Sequence, residues 1–207
     1  MKKIVIIIFI ILTLVCKIQS QIIPLDSVLV KYYSLAINSK DSNLYKEKFF
    51  ENYPGNFQLF NSIYGYKYID SDSIYYSPLY GVSMDHIKLF FNLSSIVDKD
   101  IFIKKIINIS LGGYYEVDAV SIFQQELQKL FLSDTELFLK VLELYTDIEI
   151  KSFWHFFFDN NIFDHPFCIK IYSEVYEKIE MLNFNRILNL MKEQYEYDFN
   201  TYITNPK

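Results

Sequence analysis

Residues 146–159 read TDIEIKSFWHFFFD. Thr146 and Glu149 stand at capping-box spacing, where hydroxyl and carboxylate satisfy each other's free backbone N–H groups. The signal opens a helix over 147–159. Phe153, Trp154, Phe156, Phe157 and Phe158 then make that helix apolar around most of its girth. Such a helix needs neighbours on several sides, which places it at the centre of an all-α domain.

The flanking sequence supplies those neighbours. Before the central segment, Ser133 and Glu136 repeat the capping-box spacing and open a helix at about 134–145. After it, the chain turns at Asn160 to Pro166 and finishes as a helical hairpin. Tyr172, Val175, Tyr176, Ile179 and Leu182 form one stripe, and Phe184, Ile187, Leu188, Met191 and Tyr195 form the other. Upstream, Val120, Phe123, Leu127, Leu130 and Phe131 fall at helical spacing over 117–132, with Gln124, Gln125 and Gln128 between them. Residues 99–111 are isoleucine-rich, with Asp98 to cap them and Gly112-Gly113 to end them. A helix from Ser83 to about Ser94 turns Ile87, Phe90 and Phe91 inward. Residues 25–39, 41–53 and a short segment carrying Phe57, Phe60 and Tyr64 complete the set, with Pro54-Gly55 as a stop. The expectation is one irregular bundle of about eight or nine helices over 21–207, with a degenerate helical repeat as the alternative.

Residues 65–82, GYKYIDSDSIYYSPLYGV, break the pattern. Gly, Asp, Ser and Pro interleave with tyrosines, which predicts a long loop with room for a short extended piece. Long ordered loops are commoner at functional sites than elsewhere.

The N-terminus carries an address. Met1-Lys2-Lys3 precedes the apolar run IVIIIFIILTLVC, Ile4 to Cys16, and Lys17 closes it. This is the layout of a signal peptide and is too short to span a bilayer. Cleavage after Ser20 is favoured over lipidation at Cys16, because Val15 is large where a lipid-attachment sequence carries a small residue. The mature chain is then expected in the periplasm or outside the cell, with outer-membrane association as a further option. After cleavage Cys168 is the one cysteine left, so no internal disulfide is expected. The formal net charge is -5, from 25 acids against 20 bases, which argues against nucleic acid as a partner. No second apolar run suggests a membrane span, and no cofactor motif is present.

The residues that could carry chemistry are few. His155 and Asp159 are four apart on one helix face, and Asp164 and His165 follow the turn. Imidazole nitrogen and carboxylate oxygen suit Zn²⁺, so His155, Asp159, Asp164 and His165 form a candidate metal set. Against this stands the plainer reading of a helix end and a turn. Asp85-His86 reads as a capped, solvated first turn, and Asp118, Ser121, Gln125 and Gln128 read as a solvated face. Tyr76 and Tyr80 are candidate interface anchors, since tyrosines are favoured in that role.

Several motifs resemble a group of uncharacterised exported helical proteins of Bacteroidetes-type bacteria. They are Ile63-Tyr64-Gly65-Tyr66, Pro78-Leu79-Tyr80, His86 with Phe90-Phe91, Asp118-Ala119-Val120 with Phe123-Gln124, Ile150 to Asp159, and His165-Pro166. Where the group reads Phe-Asp-Gly-Pro-His-Pro, this chain places Asn160 to Asp164 in the Gly-Pro portion. The resemblance implies a helical fold and a shared surface at Asp118, Trp154, Asp159 and His165. No activity attaches to the group, so it lends no catalytic residues.

Two functions follow. The leading expectation is a non-catalytic module of the cell envelope that binds another protein through the tyrosine-rich loop. The alternative is a metal-dependent hydrolase or metal-binding protein using the histidine set. Glycan binding is a weaker third, and it requires a row of coplanar exposed rings.

Overall fold

The computed structural model describes residues 24–70, 72–160 and 165–204. Among them are ten α-helices. In chain order these are α1 (Leu25–Asn38), α2 (Ser42–Asn52), α3 (Phe57–Tyr64), α4 (Ser83–Asn92), α5 (Lys99–Ser110), α6 (Ala119–Ser133), α7 (Thr135–Leu142), α8 (Asp147–Phe158), α9 (Pro166–Met181) and α10 (Asn185–Thr204). The expected all-α bundle is what forms. No repeating unit divides it: helix lengths run from 8 to 20 residues, and a hairpin interrupts the series. No described helix is long and apolar enough to cross a membrane. The expected signal segment 1–20, Cys16 within it, and Asp164 lie outside the described residues.

Local chemistry explains several helix ends. Thr146 and Glu149 make the capping box at the start of α8. Asp98 Oδ1 accepts the Ile101 N–H at 3.0 Å to open α5, and Asn56 Oδ1 accepts the Leu59 N–H at 2.9 Å to open α3. Each supplies an acceptor for an N–H that the helix itself leaves unpaired. The second expected capping box does not form. α6 runs through Ser133, whose hydroxyl donates back to the Leu130 carbonyl at 2.9 Å. Still helical, Ser133 has no free side chain to cap α7.

α8 lies among α5, α6 and α10. Phe153, Trp154, Phe156 and Phe157 are buried on it, as its composition demands. Phe131 of α6 meets the Trp154 ring at 5.5 Å and 76°, and the Phe157 ring at 5.3 Å and 70°. Such edge-to-face pairs add to the stabilisation from burial. A second ring cluster, Phe50, Phe90, Phe102 and Phe123, fills the space beneath α2, α4, α5 and α6. Arg186 fastens α10 to the α7–α8 junction. Its guanidinium donates to Asp147 Oδ1 at 2.6 Å and to the Tyr145 carbonyl at 2.9 Å.

Residues 65–82 hold more order than a loop. Strands β1 (Tyr66–Tyr68) and β2 (Ile74–Tyr76) pair antiparallel, with Tyr66 opposite Tyr76 and Tyr68 opposite Ile74. Asp70 Oδ1 accepts the Asp72 N–H at 2.9 Å, an Asx-type turn that helps reverse the chain. A 3₁₀ turn, Tyr80–Val82, then leads into α4.

Candidate functional site

The hairpin sorts its residues by period-two alternation. Tyr66, Tyr68, Ile74 and Tyr76 share one face, and Lys67 and Tyr75 take the other. Tyr68 is 69% exposed and Tyr76 is 51% exposed. Tyr80, just past β2, leans its ring on Tyr76 at 4.6 Å and faces Tyr66 at 6.2 Å, nearly at right angles. Its phenol donates to Asp118 Oδ2 at 2.5 Å. That bond, with burial and the Asp118 charge behind it, pushes the Tyr80 phenol up to about 12. Burial pushes Tyr66 to about 12 as well, helped by Tyr68 and by the negative charges of Glu116 and Asp118.

Asp118 reaches Tyr80 from a strained backbone. Its φ of 63° and ψ of -115° lie outside the left-handed helical well that Asp tolerates. Such a conformation costs about 1–3 kcal/mol and persists only where surrounding contacts impose it. Those contacts run along the loop from Gly112 to Asp118. The Gly112 N–H donates to Ser152 Oγ at 2.8 Å. Gly113 sits so tightly on α8 that a Cβ there would meet the Phe156 ring at 2.4 Å. Tyr114 meets the Phe57 ring edge to face at 4.9 Å, and its hydroxyl accepts from Asn61 at 3.4 Å. The Tyr115 N–H donates to Asp159 Oδ2 at 2.6 Å.

Asp159 therefore acts as the C-terminal anchor of α8 for this loop. Gln124 and Gln128 of α6 finish the same helix end. Gln124 Nε2 donates to the Phe156 and Asp159 carbonyls at 2.6 and 3.1 Å, and Gln128 Nε2 donates to the Phe157 carbonyl at 2.9 Å. The last carbonyls of a helix have no partner inside it, so these amides supply the missing donors. Gln124 is buried, and Gln128, read from sequence as part of a solvated face, is committed to this task. His86 also departs from expectation. It is buried, its Nδ1 lies 3.1 Å from the Tyr64 hydroxyl, and burial lowers its pKa to about 4 against a partly opposing Asp85.

The expected site residues separate into four places. Tyr76, Tyr80 and Asp118 come together at the hairpin. Trp154, expected on a surface, is 0% exposed in the core, because its ring is the largest apolar body on a helix packed on several sides. His165 caps α9, its Nδ1 accepting the Phe167 N–H at 3.2 Å, and borders a cleft of about 420 Å³ with Tyr115, Gln125 and Cys168. His155 borders a different cleft, of about 410 Å³, with Lys151, Ser152 and Asp198.

The candidate zinc set is not gathered by the described residues. His155 Nδ1 lies 3.0 Å from Asp198 Oδ1, while its Nε2 is 3.9 Å from Asp159 Oδ2. No group of three or more His, Cys, Asp and Glu among the described residues is arranged to hold a metal. Asp198 comes from α10, forty-three positions away, which no local spacing could have indicated.

The sequence reading did not name Glu116, and it placed Tyr66 and Tyr68 in the tyrosine-rich loop without singling them out as anchors. The signal for the tyrosines was present: Tyr66/Tyr68 and Ile74/Tyr76 alternate at period two around an Asp-Ser turn. The hairpin rings are not coplanar. Tyr66 and Tyr68 stand at 85°, and Tyr76 and Tyr80 at 46°, which does not make the flat platform a sugar ring stacks upon. Comparison with protein-family models, with curated proteins and with solved structures finds no match.

Proposed function

We propose that this chain is an exported, non-catalytic module of the cell envelope that binds another protein through its tyrosine hairpin. The observation that supports the reading is the Tyr76–Tyr80–Asp118 assembly. The half-buried Tyr80 ring is held by a short hydrogen bond to a carboxylate on a strained backbone, and the exposed Tyr76 ring leans on it. The bundle beneath gains little from rings left in water, since apolar surface stabilises a fold only when it is buried. Held still and exposed, tyrosines bind with little loss of side-chain freedom, which is why they recur as interface anchors. The positively charged start and apolar run at the N-terminus support export.

Native mass spectrometry of tagged protein recovered from its own cell envelope tests the reading. A stoichiometric partner chain is expected. The variant Tyr76→Ala/Tyr80→Ala should hold that partner at least about tenfold more weakly, the effect of losing one good anchor. Its helical circular dichroism should be unchanged. A partner retained in full by the variant contradicts the reading.

A further inference from the structure

The hairpin edge and the acidic loop beside it indicate what the partner presents. The Ser77 N–H donates to the Gly65 carbonyl at 3.0 Å, and the Ile69 N–H donates to the Ser73 carbonyl at 2.9 Å. These bonds set the ladder. In an antiparallel pair, bonded positions alternate with positions whose N–H and C=O turn outward. The outward positions are Tyr66 and Tyr68 on β1, and Ile74 and Tyr76 on β2. Among the described residues the sheet has only these two strands, and all three residues of β2 are exposed, so its outer edge is open to another strand. Open edges of this kind accept extended segments by main-chain pairing.

The side chains at the outward positions share the aromatic face, and that face is acidic. Tyr66 meets Tyr68 at 85° and Tyr80 at 87°, so the rings turn their faces in different directions, like walls. An aromatic face attracts an ammonium or guanidinium within about 6 Å of its centre. Glu116 adds a carboxylate whose Oε2 is buried without a hydrogen-bond partner. A buried acceptor left without a donor is costly, and a cation's N–H groups would supply one. Among the described residues neither Glu116 nor Asp118 has an ion-pair partner. Lys67 lies on the opposite face of the hairpin.

We infer that the partner presents an extended segment bearing lysine or arginine, which adds as a strand to β2 and sets its cation among Tyr66, Tyr68 and Tyr80 beside Glu116 and Asp118. The inference rests on the protein-interaction reading above. Tyrosines alone would suit many partners, and two carboxylates without a cation beside them select a basic one.

The test is an NMR titration of the full chain with three probes: the capped peptide Lys-Thr-Lys-Val-Lys-Thr, its Glu counterpart, and tetramethylammonium. The lysine peptide should shift the Ile74 and Tyr76 amides together with the Tyr66 and Tyr80 rings. Its affinity should fall as salt rises. In Glu116→Gln/Asp118→Asn it should drop by about tenfold, as expected for removing charge partners from a shielded site. Equal binding of the two peptides overturns the inference. So does a response to tetramethylammonium in the rings while the lysine peptide leaves the β2 amides unmoved, and so does self-association of the chain through those amides. If Tyr76→Ala/Tyr80→Ala loses the envelope partner but the lysine peptide does not bind, the interaction reading stands and this inference fails. If the double variant keeps the partner, the interaction reading itself fails.

Discussion

Two aromatic regions of this molecule have nearly the same ring geometry and opposite surroundings. Around α8, Trp154 meets Phe153, Phe157 and Phe131 at 5.0, 5.3 and 5.5 Å, with angles of 70° to 76°. At the hairpin, Tyr66 meets Tyr68 and Tyr80 at 5.6 and 6.2 Å, with angles of 85° and 87°. Edge-to-face contact is thus common to both. The difference lies in what borders the rings. The α8 rings are buried and are phenylalanine or tryptophan, so their area is already removed from water. The hairpin rings are tyrosines: Tyr66 and Tyr80 are half-buried beside Asp118 and Glu116, and Tyr68 is still open to solvent. The first arrangement stabilises the fold, and the second leaves binding energy unspent.

The largest expected contrast is between Trp154→Ala and Tyr68→Ala. Removing the buried indole should cost about 3–5 kcal/mol, the usual loss for a large core ring. Removing the exposed Tyr68 ring should stay within about 0.5 kcal/mol, as for other surface changes. Urea unfolding of both variants checks this, and comparable losses would break the distinction.

Next comes the polar seam that joins the two regions. Gln124→Leu removes the donor serving the Phe156 and Asp159 carbonyls and should cost about 1–3 kcal/mol, the penalty for leaving buried acceptors unpaired. Because that seam also carries Asp159, the Tyr115 amide should exchange faster with solvent in this variant.

A smaller effect sharpens the view of the core through pH. Above pH 6.5 His86 is neutral whether the chain is folded or not. Below it, the unfolded chain takes up a proton that the buried imidazole refuses until about pH 4. Stability should therefore fall progressively as pH drops from 6.5 to about 4, and then level off for this group. His86→Gln keeps a polar partner for Tyr64 and should lack this part of the slope. Equal slopes in the two proteins would mean that His86 is protonated in the fold.

A small stability change is also expected for Asp118→Gly. Glycine adopts the positive φ without strain, so thermal stability should stay level or rise by less than about 1 kcal/mol. Partner retention should nevertheless fall, because the Tyr80 hydrogen bond is gone. Unchanged retention would detach Asp118 from the site.

The bundle was legible because its signals are local. The Thr146/Glu149 box, the Asp98 cap and the 3.6-residue apolar spacing each act within a turn or two of helix. The hairpin was half legible: its tyrosines drew attention, but a strand pair of three residues each is specified by pairing across a turn, not by propensity alone. The rest depended on residues far apart in sequence. Asp159 pairs with Tyr115, Gln124 with the end of α8, and His155 with Asp198, and no spacing rule brings such partners together. The same limit explains Trp154. Its helix was rightly placed at the centre, yet the residue was also expected on a surface, two statements that only three-dimensional packing reconciles.

Hydrogen exchange on the complex recovered from the envelope, set against the chain alone, tests the central claim most directly. The account predicts new protection at the outward amides of Ile74 and Tyr76 and no change along α8. Protection confined to the His155 cleft, or none at the hairpin while a partner is bound, would contradict it.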